Sequence, residues 1–163
     1  MLKESIFCGK VKEVVSQIKD PEISFLTIIE LGILREIKCS DSNVTVVIAP
    51  TYLACPATDV IEKDIRSCLV ELGCQNVNVV RQLNPTWTTD WITKEGREKM
   101  RRFGISPPQS VSSDPNCGTG HTFSCPRCGA SNSECISDVS GTLCKSLFRC
   151  TECLEVFEQF KCL

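Results

Sequence analysis

The chain has 163 residues, a length for one ordinary domain or two small ones. Apolar residues make up 42% and charged residues 23%, and 18 basic against 20 acidic side chains leave a net charge of -2. That balance excludes the electrostatic footprint of a nucleic-acid binder or a polybasic membrane binder. No apolar run approaches the roughly 18 residues of a membrane span. Met1–Ser5 leads into a charged, periodic segment with no apolar h-region, so a cytoplasmic protein is expected. Thirteen cysteines, an odd number, point to metal or redox chemistry over a disulfide framework.

Phe7, Val11, Val14, Val15 and Ile18 form a helical stripe, which Asp20-Pro21 should stop because a residue before proline avoids the helical region. Ile33–Cys39 and Val44–Ala49 are short β-prone runs around Ser40-Asp41-Ser42-Asn43, the pattern of a hairpin. Cys55-Pro56 then opens a helix carrying Ile61, Ile65, Cys68, Leu69 and Leu72, with Gly73 suited to end it and Val77–Leu83 a third strand. The order α-β-β-α-β predicts a small α+β sandwich with helices on one face of a sheet. Residues 90–103 predict a further amphipathic helix through Ile92, Gly96, Met100 and Phe103, closing a first domain over 1–104.

Residues 105–121 are rich in Pro, Gly and Ser and predict a linker. Residues 122–163 form a Cys-rich unit, expected to be a small all-β zinc ribbon. Cys125-Pro126-Arg127-Cys128 and Cys150-Thr151-Glu152-Cys153 are two C-x-x-C pairs with 21 residues between them. Each pair puts two thiolates on one tight turn, and two such turns facing each other complete a tetrahedral S₄ site. A unit near ~40 residues also has little core of its own; a structural zinc supplies on the order of 10–16 kcal/mol of binding free energy, which here is folding free energy. Thiolate S₄ suits zinc or an iron–sulfur centre, and zinc is the preferred assignment. Cys135, Cys144 and Cys162 lie in or beside the module. Cys144 and Cys162 are either alternative ligands or small buried hydrophobes of a thin core. A dithiol redox centre is disfavoured, since no helix follows Cys125–Cys128. The four basic and six acidic side chains of 105–163 also argue against nucleic acid.

Three segments of the first domain remain: Asp20-Pro21-Glu22-Ile23, Thr51-Tyr52-Leu53-Ala54-Cys55-Pro56, and Trp87 to Thr93. From the residues alone, the first is a solvated helix stop. The second is a thiol at a helix start, where the dipole aids thiolate or metal-ligand character, or else a buried cap-region cysteine. In the third, Trp87 and Trp91 are a packing pair.

Together the first two resemble the small iron–sulfur assembly domain of SufT-type proteins and cytosolic iron–sulfur targeting factors. With WTTDWIT, Gly96-Arg97, Phe103–Pro108 and the tail segments CPRCG, GTLCKSLFRC and VFEQFKC, the chain from about Val11 to Leu163 resembles the PaaD family, the D component of the phenylacetyl-CoA epoxidase system. Ser24 stands where that family usually has proline and Ala54 where it has glycine; residues 112–120 match nothing recognised. The resemblance implies a non-enzymatic accessory protein that matures iron–sulfur clusters for the reductase and oxygenase components. Its metal-binding tail would be Cys125, Cys128, Cys150 and Cys153, with a transient cluster on Cys55, alone or with Cys144 or Cys162, and a signature of Asp20, Glu22 and Thr51. The alternative is a structural, non-catalytic part of the oxygenase complex that docks through the two-tryptophan segment and the ribbon. The sole histidine, His121, leaves no Glu-x-x-His pair for a di-iron site, and no dinucleotide motif is present.

Overall fold

The computed structural model describes residues 2–40, 43–53, 55–108 and 123–162. It divides into two compact units, Met1–Trp87 and Thr88–Leu163.

In the first unit, α1 (Leu2–Ser16) is followed by β1 (Leu34–Ser40), β2 (Asn43–Ile48), α2 (Ala57–Glu71) and β3 (Asn76–Arg81), the expected order. The sheet runs β1-β2-β3, with β1 and β2 antiparallel. Helix α2 carries the chain across so that β3 pairs parallel with β2, Val44 opposite Val77 and Val46 opposite Val79. Period-2 patterning of β2 sends Val44, Val46 and Ile48 to one buried row. Val11 and Val15 of α1 and Ile61, Ile65 and Leu69 of α2 supply the rest of this core. Helix α2 ends as the glycine requires. Gly73 sits at φ 94, its N–H bonds the Val70 carbonyl at 2.9 Å, and the Cys74 N–H bonds Leu69 at 3.0 Å, a Schellman closure.

The segment after α1 differs from the expected solvated turn. Asp20 is 6% exposed, and its Oδ1 accepts the Glu22 and Ile23 N–H groups at 2.8 and 2.7 Å. Pro21 has no N–H to satisfy, so the carboxylate serves the two donors that follow it. Helix α1 stops at Ser16, ahead of the proline, and the Asp20 turn faces inward.

The second unit begins with a 3₁₀ turn, Thr89–Trp91, then α3 (Lys94–Arg102) and β4 (Ile105–Ser106). β5 (Ser133–Ser137), β6 (Lys145–Cys150) and β7 (Val156–Phe160) complete a sheet in the order β4-β7-β6-β5. Composition placed α3 with the first domain and made 105 the start of a linker. Here Ile105 and Ser106 pair with Glu158 and Gln159, so the strand of the ribbon's sheet begins inside that Pro-rich stretch. Most of the remaining linker reading, residues 109–121, lies outside the described residues, as does His121. Among the described residues no helix is long and apolar enough to cross a membrane.

Candidate metal centre

Two loops of the ribbon repeat one geometry. After Cys125 the chain turns so that the Gly129 N–H bonds the Cys125 carbonyl at 2.9 Å and the Cys125 N–H bonds Ala130 at 2.8 Å. After Cys150, Leu154 N–H bonds the Cys150 carbonyl at 3.1 Å and Cys150 N–H bonds Glu155 at 2.9 Å. Both turns need a left-handed residue just past the second cysteine: Gly129 at φ 78, Leu154 at φ 62. Antiparallel pairing of β5 with β6, Ser133 opposite Cys150, brings the loops together across the intervening residues.

The thiols of Cys125, Cys128, Cys150 and Cys153 consequently meet, all within 4.8 Å of one another. Cys125 Sγ lies 3.7 Å from Cys153 Sγ, and Cys128 Sγ 3.6 Å from Cys150 Sγ. Thiolates about 2.3 Å from a tetrahedral zinc are about 3.8 Å apart, so the donor set fits a Zn(Cys)₄ centre in identity and size. Crowding splits the thiols' acidity. Cys150 accepts the Cys153 N–H and then that of Glu152, and is drawn down to about 7. Cys128 accepts the Ala130 N–H, yet its neighbour thiols, Cys153 first, and burial push it up to about 12. A divalent cation removes that conflict by binding all four as thiolates. Phe123, Phe148 and Phe157 wall the site, with Phe123 edge-on to Phe148 at 5.1 Å and Phe148 stacked on Phe157 at 6.2 Å.

The other cysteines of the module stand apart from this group. Cys144 is buried with its Sγ 3.1 Å from Thr142 Oγ1, Cys135 is exposed beside Asp138, and Cys162 is disulfide-bonded. In the first unit Cys55 is half-buried just ahead of Pro56, the residue that caps α2. Its N–H bonds the Tyr52 carbonyl at 3.3 Å and its own carbonyl accepts the Thr58 N–H at 3.1 Å. Glu22 and Thr51 are half-buried. Among the described residues, no second set of three or more Cys, His, Asp or Glu gathers as the four thiols do. Sequence reading missed one thiol contact: Cys39 of β1 hydrogen-bonds Cys8 of α1, and burial followed by this contact pushes Cys39 up to about 12. Its only sequence signal was the helical spacing that sets Cys8 on the face of Val11 and Val15.

The segments around the two tryptophans turn out to be structural. Trp87 is 3% exposed and its Nε1–H donates to the Leu31 carbonyl at 3.0 Å, in the first unit, whereas Trp91 is half-buried in the second. Thr93 caps α3 by accepting the Gly96 N–H at 3.0 Å. Arg97 donates to the Thr89 carbonyl at 2.6 Å and to the Pro108 carbonyl, tying the 3₁₀ turn, α3 and the end of the Phe103–Pro108 segment into one knot.

Comparison with known proteins agrees with this division. Residues 9–80 match the family model of an iron–sulfur cluster assembly protein, and residues 109–161 match the PaaD zinc beta ribbon domain. A crystal structure of a domain of unknown function, DUF59, from Bacillus anthracis shares the fold at a TM-score of 0.54 and 19% identity, covering 61% of this chain and 95% of that one. A conserved hypothetical protein from Thermotoga maritima aligns at a TM-score of 0.48 with 29% identity, covering 56% of this chain and 91% of that one. The D component of 1,2-phenylacetyl-CoA epoxidase from Escherichia coli (strain K12) is 42% identical over 149 residues, 91% of this chain and 89% of that protein. With both of its units matched and that identity sustained along nearly its whole length, the chain belongs to the PaaD family, an iron–sulfur assembly-type domain joined to a zinc ribbon.

Proposed function

We propose that this protein is a non-catalytic accessory factor that delivers iron or an iron–sulfur cluster to the phenylacetyl-CoA epoxidase system, its ribbon held by a structural zinc. The observation that carries the reading is Cys55: a half-buried thiol ahead of the α2 N-terminus, in an iron–sulfur assembly-type domain, with no cluster of further ligands around it among the described residues. Resident clusters are held by four cysteines. A single thiolate can hold such cargo only while other ligands come from elsewhere, which suits transfer and not storage. The recipient under this reading is the cluster-bearing reductase component, with the oxygenase component as its working partner. Glu22, Thr51 and the inward-facing Asp20 would shape the segment around the cargo.

The test is a Cys55→Ser variant produced alongside the reductase. The variant should fold with a melting temperature near that of the parent, because α2 has no side-chain capping bond to lose at its start. The reductase should then come out poor in its cluster, with a weakened visible absorption band and low electron transfer. A full cluster complement beside the variant overturns the delivery role. If the defect then lies only in assembly of the multicomponent enzyme, the protein is a structural part of that complex.

A further inference from the structure

Helix α3 lies between the two segments that the family models cover, and it carries five basic against two acidic side chains in a chain of net charge -2. Its last turn, Arg101-Arg102, lines a cavity of about 270 Å³ together with Arg127 and Pro126 of the first cysteine loop and Glu155 and Phe157 beyond the second. Arg127 already donates to Glu155. Arg101 and Arg102 are exposed, and neither has an ion-pair partner among the described residues. Basic side chains in a last helical turn do offset the helix dipole, but Lys99 stands there as well. Dipole compensation does not account for two adjacent guanidinium groups lining one concavity opposite a third. Guanidinium forks match the planar, two-oxygen edge of a carboxylate or phosphate. Pro126 and Phe157 give the same cavity an apolar wall.

We infer that this cavity binds an oxyanion, the phosphate or carboxylate group of an organic ligand, between Arg101, Arg102 and Arg127. The Glu155 carboxylate acts as the competing internal anion: it occupies the Arg127 fork and sets an upper limit on affinity. The inference rests on no part of the cluster-delivery reading.

Calorimetric titration of the zinc-loaded full chain with inorganic pyrophosphate and, separately, with citrate tests it. At low ionic strength at least one of them should give saturable heat that weakens as salt is raised. The tighter of the two identifies the ligand group, phosphate or carboxylate. Replacing both exposed arginines (Arg101→Gln with Arg102→Gln) should weaken binding about tenfold or more, since each removes charge-assisted hydrogen bonds. Glu155→Gln frees Arg127 and should tighten binding several-fold. Unchanged zinc content and circular dichroism establish that the variants are folded. Absence of saturable heat with both probes, or parental affinity in the double arginine variant, overturns the inference.

Discussion

Residue by residue, the two cysteine loops are the same device built with different side chains. Gly129 and Leu154 occupy the equivalent left-handed position, and only one of them is a glycine. A left-handed conformation costs an L-residue with Cβ about 1–2 kcal/mol, and a Cβ at Gly129 would meet nothing within 4 Å, so strain is the whole of its effect. Gly129→Ala should therefore lower ribbon stability by about 1 kcal/mol. Leu154→Gly should raise it by roughly 0.5 kcal/mol, the relief being partly offset by the unfolded-state entropy of glycine; Leu154 is 69% exposed and gives up little packing. Thermal unfolding of the zinc-loaded protein measures both. Cys39 provides a pH test. Its thiol is raised from 9.0 to about 12 by burial and then by Cys8, so the folded state holds a proton that the unfolded chain has already released. The contribution is fully present below pH 9 and is lost as pH rises from there to about 12. Urea unfolding across that range should show a fall in stability that is shallower in Cys39→Ala; equal slopes would contradict the assignment.

At the scale of elements, the ribbon stands on its metal site and on the Arg97 knot. Lysine at position 97 can reach one of the two carbonyls that Arg97 bridges, since it lacks the planar fork. Arg97→Lys should cost about 1–3 kcal/mol, visible as earlier unfolding of the second unit with zinc content unchanged. Removing the metal acts more severely. Zinc analysis should find about one ion per chain, the count one S₄ site implies. Cys125→Ser or Cys150→Ser should lose it, and the Phe123–Phe148–Phe157 stack should lose its order with it. Unchanged zinc in both variants would refute the four-thiol site.

Taken whole, the molecule is two units with separate sources of stability. The first owes its core to Val11, Val15, Ile48, Ile61 and Leu69 and to no cysteine of the ribbon. A chelator should therefore abolish the dispersed amide NMR signals of the ribbon while those of residues 2–87 persist. Much of this architecture was legible from local pattern. Helical stripes, the Pro56 start, the Gly73 stop and the C-x-x-C turns are each set by residues within a few positions of one another, and so are readable in order along the chain. That is why the sequence alone determined the α-β-β-α-β order and the four ligands. What only the tertiary structure decided depends on residues far apart: the unit boundary at Trp87, the pairing of Ile105 with Glu158 inside a Pro-rich stretch, and the burial of Asp20 over its own turn. Composition reports a segment's average tendency to bury surface. Strand pairing and burial are settled by the partner that a distant segment brings, and for Ile105 that partner lies more than fifty residues along the chain.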